Sequence, residues 1–146
     1  MGIVGFIVML VLVLLGLNQG VQFGMYVDTG SIVLTVFVTL AALLMSYGSD
    51  LGRAIKAVFS SNAGRADLQL AVLVFSRGRS YALACGSLGT VIGLVIILKN
   101  LDHVSALGPG LALALLTLAY GIALSYLVLG PVVGSLKRRL DEVSGQ

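Results

Sequence analysis

Four long apolar stretches, Gly2–Leu17, Ser31–Tyr47, Tyr81–Leu98 and Leu107–Pro131, contain no Asp, Glu, Lys, Arg or His. A helix needs about 20 apolar residues to cross roughly 30 Å of hydrocarbon. The fourth stretch is long enough alone. The second and third reach that length with their flanks, and the first borrows Asn18 and Gln19 at the interface. A soluble fold would have to hide all four. With 146 residues, 58% apolar and only 10% charged, a globule of this size leaves too much surface wet to do so. The expected architecture is therefore an all-α integral membrane protein with four transmembrane helices, over 2–19, 31–47, 67–99 and 107–131, forming a single membrane domain. The first stretch is read as a retained helix and not a signal peptide. Met1–Phe6 carries no side-chain charge, and Leu15-Gly16-Leu17 is a poor cleavage site.

Charge placement sets the expected orientation. Arg53, Lys56, Arg65, Arg77 and Arg79 lie between the second and third stretches, and Lys137, Arg138 and Arg139 follow the fourth. The opposite side has only Lys99. Lys and Arg accumulate on the cytoplasmic face, so both termini and the long loop are expected there. This placement also accounts for the net charge of +3, which removes the reason to invoke nucleic acid. A lone Cys85 excludes an internal disulfide, and Cys85 with His103 falls far short of a metal-ligand set. No catalytic constellation is present, and the chain is read as no enzyme.

Between the second and third helices, Leu51, Ala54, Ile55, Val58 and Phe59 recur at helical spacing after Ser49 or Asp50 as N-cap. The pattern predicts an amphipathic helix within 48–66, lying on the membrane surface with Arg53 and Lys56 toward headgroups or water. Ser60-Ser61-Asn62-Ala63-Gly64 then breaks it. The third helix is expected to extend into the cytoplasm from about residue 67, with Gly78 its weakest point and a tail over 132–146 closing the chain.

Membrane helices associate through small residues and polar contacts, because lipid gives no hydrophobic drive for pairing. Ala82, Gly86, Gly89 and Gly93 form one small face on the third segment. Gly110, Ala114, Thr117, Gly121 and Ser125 form another on the fourth, and Thr35, Thr39, Ala42 and Ser46 a third on the second segment. Pro109 and Pro131 mark expected turns or hinges. Two readings stay open for these faces: close packing inside one bundle, or a pore or surface shared between copies. Thr90 and Thr117 lie deep in the third and fourth segments, where a hydroxyl either serves a pathway or bonds its own backbone.

The run Gly86-Ser87-Leu88-Gly89-Thr90-Val91-Ile92-Gly93-Leu94, with Leu98-Lys99-Asn100-Leu101-Asp102 and Ser105–Thr117, resembles the MotA/TolQ/ExbB proton-channel family. Phe23–Ile32, Ser49–Lys56, Tyr120-Gly121 and Gly130–Lys137 are similar to flagellar stator subunits of the MotA type. The resemblance covers nearly the whole chain, with several motifs in the family's order. It implies a homopentameric ring in the bacterial inner membrane around a single-pass MotB-, TolR- or ExbD-like partner. The partner's transmembrane Asp would carry H+ or Na+, which accounts for a chain whose own membrane segments hold no acid. On this resemblance Thr90 and Thr117 are the expected ion-pathway residues, no cofactor is needed, and membrane lipid surrounds the ring.

Two features depart from that family. The connection Gly48–Ser80 is much shorter than the cytoplasmic domain of flagellar stators, whose rotor-engaging residues lie in the part missing here. Leu118 stands where the family usually carries a hydroxyl. The leading expectation is thus a compact channel or stator subunit driving something simpler than a flagellar rotor. The alternative is a non-conducting membrane scaffold of the same fold. A small multidrug exporter would need an acid in its first helix, and Met1–Leu17 has none. In a background lacking Cys85, cysteine labelling should find positions 61 and 144 cytoplasmic and positions 22 and 105 outside; an externally accessible position 61 would refute the orientation.

Overall fold

The computed structural model describes residues 28–60, 62–102 and 104–145, together with Val11. The expected first transmembrane helix falls outside these residues. The described chain is helical: α1 Thr29–Tyr47, α2 Asp50–Phe59, α3 Arg65–Lys99, α4 Val104–Ile122, a π-helical segment Ala123–Val128, and α5 Leu129–Ser144. Three helical runs are long and apolar enough to span a bilayer, namely Thr29–Tyr47, Arg65–Lys99 and Leu107–Ser144.

Local chemistry sets each boundary. Asp28 caps α1: its backbone is extended and its carboxylate accepts the Ser31 N–H at 2.5 Å. Hydrogen bonds from Ser31, side chain first and backbone second, hold the Asp28 carboxyl below its ordinary value. Gly48 ends α1 with φ +50°, a left-handed conformation that L side chains rarely adopt, and its N–H bonds the Leu44 carbonyl at 2.8 Å. That single turn redirects the chain into α2. Ser49 occupies the N-cap of α2 but makes no side-chain cap bond. At the other end of α2, Arg139 from α5 donates to the carbonyls of Ala57 (3.1 Å), Val58 (3.3 Å) and Ser60. A cation there satisfies exposed carbonyls and complements the negative end of the helix dipole.

Thirty-five residues of α3 make a rod of ~52 Å, and α1 and the α4–α5 run lie antiparallel along it. Gly78 does not interrupt the rod. It is buried because Leu43 and Leu129 close over it, and an added Cβ would meet their methyls at 3.3 and 3.4 Å. About 24 Å of α3 precedes the apolar run that starts at Tyr81. Along that stretch α2 and α5 flank it, and Leu51, Ala54, Ala57, Leu68, Ala71, Val74 and Leu136 join Leu43 in one apolar core. Part of the apolar stripe of α2 is thus taken up by α3 and α5. Its buried line runs through Leu51, Ala54 and Ala57, while Ile55 and Phe59 face outward.

Neither proline marks a turn. Pro109 lies inside α4 and Pro131 inside α5. Helix continues to Ser144, where a separate tail is expected from 132. The π-helical segment lies just before Pro131, where Leu129 donates to the Leu124 carbonyl five residues back. A proline has no N–H to give and its ring clashes with the carbonyl four residues earlier; the wider π turn moves the backbone past that conflict without breaking the helix. Leu136 is 1% exposed in the core that α2, α3 and α5 share. Its replacement by Ala should destabilise this half by ~2–5 kcal/mol, read as earlier loss of helix in thermal or denaturant melts.

Candidate functional site

The small faces of α3 and α4 meet each other within one chain. A Cβ built on Gly86 would lie 2.8 Å from the Gly121 Cα and 3.0 Å from the Thr117 carbonyl oxygen. One built on Gly121 would lie 2.8 Å from both the Gly86 Cα and the Ala82 carbonyl oxygen. Here the two backbones touch. One turn outward, Gly89 sits beneath the Thr117 methyl, with Leu34 of α1 2.9 Å from its virtual Cβ. Further out Gly93 faces Ala114 at 2.8 Å, and Gly110 faces Ile97 at 2.9 Å. All the small residues singled out on these two segments, Ser125 included, therefore have an intrachain packing role, and even a methyl group is excluded at the centre.

Hydroxyls fasten the crossing. Thr90 Oγ1 donates within α3 to the Gly86 carbonyl at 3.0 Å and across to the Ala114 carbonyl at 2.8 Å. Thr117 is 4% exposed, lies 2.9 Å from the Ser31 hydroxyl of α1, and is 3.0 Å from the Leu113 carbonyl. Thr117 and Ser31 thus share one hydroxyl–hydroxyl hydrogen bond, in which either oxygen can accept. Thr90 is half-buried, on the border between the α3–α4 seam and the outer face of α3. Thr117 instead points between α4 and α1. Leu118, beside it, is half-buried.

A third row completes the site. Ser31, Thr35, Thr39 and Leu43 are the buried line of α1. Thr39 donates to the Thr35 carbonyl at 2.6 Å, and Ser46 reaches Tyr81 at 3.0 Å. At the outer end the Tyr120 hydroxyl accepts the Asp28 N–H at 3.1 Å. Sequence spacing identifies Thr35 and Thr39 but misses Ser31, one turn earlier on the same line. Spacing also misses Arg79. Its Nε donates to the Ser125 carbonyl at 3.2 Å, and its guanidinium carbon sits 4.9 Å from the Tyr126 ring centre. Ser125 itself is buried in the π-helical segment. Among the described residues no group of three or more His, Cys, Asp or Glu side chains is placed to hold a metal ion.

The seam with Thr90 and Thr117, and α2, α3 and α5, lie within residues 49–146, and this stretch matches the sequence pattern of the MotA/TolQ/ExbB proton channel family. The chain belongs to that family. An uncharacterized protein, YtxD, from Bacillus subtilis is 41% identical over 68 residues, which is 47% of this chain and 25% of that protein. The chemotaxis protein PomA from Vibrio alginolyticus is 44% identical over 69 residues, 47% of this chain and 27% of its own. A motility protein A from Aquifex aeolicus is 48% identical over 58 residues, covering 40% and 23% respectively. The chain thus spans about a quarter of the length of these relatives. With its three apolar spans and this family membership, it is a multi-pass membrane protein.

The glycine contacts generate a sharp test. Gly121→Ala places a methyl against two backbones that cannot rotate away, and should destabilise the membrane half by ~1–3 kcal/mol. Gly52→Ala meets nothing within 4 Å, and should be neutral or stabilising by up to ~1 kcal/mol. Unfolding of the detergent-solubilised protein measures both. Equal behaviour of the two variants would contradict the contact.

Proposed function

We propose that this chain is the channel-type, stator-like subunit of an inner-membrane complex driven by an ion-motive force. Five copies surround a single-pass partner of the MotB, TolR or ExbD kind, whose transmembrane Asp carries H+ or Na+. The supporting observation is the family match over 49–146, which coincides with the α3–α4 seam and its hydroxyls. Relatives named for chemotaxis and motility favour work of a mechanical kind. The chain's own apolar stretches hold no Asp, Glu, Lys, Arg or His, so the ion-carrying acid has to come from elsewhere. Both termini and the helical half built from α2, the start of α3 and α5 are cytoplasmic in this reading.

Thr90 is the pathway residue of this proposal. Its hydroxyl oxygen keeps acceptor capacity while its proton goes to a carbonyl, and its half-buried position lets a partner side chain approach. Thr117 acts one step behind, holding α1 and α4 in register through Ser31. A second reading, a non-conducting scaffold, draws support from that same Thr117–Ser31 contact and from Leu118: the Thr117 hydroxyl is then engaged within the chain, and its neighbour offers none.

Mass measurement of the assembled complex should give five copies with the partner, and a stable monomer or dimer would sink the ring. With an Asp-bearing partner co-expressed, Thr90→Val should lower ion flux roughly tenfold or more, the scale of a lost general acid–base or relay contact. Thr90→Ser, which restores the hydroxyl, should recover it. Unchanged flux in Thr90→Val ends the pathway role, and absent flux in the wild type favours the scaffold.

A further inference from the structure

Arg79 stands two residues before Tyr81, where the uncharged run of α3 begins and where Tyr81 meets Ser46 in the last turn of α1. This is the edge of the apolar span. The side chain is half-buried, and its only protein acceptor among the described residues is the Ser125 carbonyl. A guanidinium has five N–H donors, so the four on its two terminal nitrogens have no acceptor there. Nor does any carboxylate neutralise it: the ion pairs among the described residues both belong to Arg53, with Asp50 and Asp67. An unpaired, partly desolvated cation is costly. The fold nevertheless holds it in one orientation, since Nε is fixed on Ser125 and the plane is held near the half-exposed Tyr126 ring.

That arrangement leaves a planar fork of N–H groups without a protein acceptor at the edge of the apolar span. A fork of this shape matches two oxygens of a phosphate. We propose that Arg79, seated on Ser125 and Tyr126, is a headgroup site for one anionic glycerophospholipid per subunit. The lipid phosphate would supply the missing counter-charge, and an anionic lipid is favoured because it brings no cation of its own into the site. This inference rests on the membrane span and the π-helical segment, and holds whether or not the complex conducts ions. It also gives that segment a use, because the Ser125 carbonyl that anchors Arg79 belongs to the π turn.

The test is lipid retention. The full chain is reconstituted in nanodiscs of equal parts phosphatidylglycerol and phosphatidylcholine, released in the gas phase, and its bound lipids are counted by native mass spectrometry. Wild type should retain one phosphatidylglycerol per subunit in preference to phosphatidylcholine. Arg79→Gln should reduce that retention about fivefold, the scale of one basic residue at an anionic surface. Arg77→Gln, which removes an exposed cation two residues away on another face of α3, should not. Arg79→Lys preserves the charge without the fork; it serves if the Gln variant does not fold, and it should also lose lipid. Retention unchanged in either Arg79 variant, or lost equally in Arg77→Gln, would overturn the site. Displacement of the lipid from wild type by inorganic phosphate would overturn the choice of lipid as its occupant.

Discussion

Backbone contact between Gly86 and Gly121 is the constraint from which the membrane half follows. Two helices that touch at their Cα atoms leave no volume for side chains at the crossing, so Ala82, Gly89, Gly93 and Ala114 must be small for a turn or two on either side. Close approach also brings carbonyls of one helix within reach of hydroxyls on the other, which is how Thr90 comes to bond Ala114. In lipid, where burying apolar surface between helices gains little, this combination of dispersion contacts and interhelical hydrogen bonds is the available source of cohesion.

Beyond the span the same rods are held by different physics. Leu43, Leu51, Leu68, Val74 and Leu136 form a core of larger aliphatic side chains, and water supplies the drive to bury them. One molecule therefore uses glycine and threonine along its uncharged runs and leucine where charged residues begin. The helix α3 runs through both regimes without a break, so a change in tilt at one end is transmitted to the other.

Much of this could be read from residue spacing. The four-three-four steps through Ala82, Gly86, Gly89 and Gly93 identify a tightly packed face, and the uncharged runs locate the described spans. Spacing says that something comes close; it does not say what. The partner of that face proves to be α4 of the same chain, a matter of chain path and not of pattern. In α2 the apolar positions are found but the buried line is displaced: Ala54 and Ala57 allow close approach to α3, so the bulkier Ile55 and Phe59 are turned away. Arg79 and Arg139 count toward topology as mere positive charges. Their carbonyl targets exist only once the π turn and the end of α2 have been built, so no local motif announces them. Nor does an amphipathic stripe say what covers it, since it is equally served by lipid or by two neighbouring helices.

The π-helical segment has a further consequence, for rotation about the helix axis. On the α4–α5 run the residues facing α3 include Thr117, Gly121, Ser125, Leu129 and Val133, each four positions after the last. An α-helix turns about 100° per residue, so every step of four overshoots a full circle by about 40°. Over four such steps a regular helix would carry the contact line nearly to its opposite side. The wider turns at Ala123–Val128 take up much of that surplus. The segment thus works as a phase correction between two lengths of helix, and lets one straight rod keep the same edge against α3 on both sides of the membrane boundary. Drawn into a regular α-helix with no residue removed, the segment would swing the Leu136 half by about 100°, separating Leu136 from the core it closes; removing one residue would instead restore an ordinary helix with the two halves still in phase.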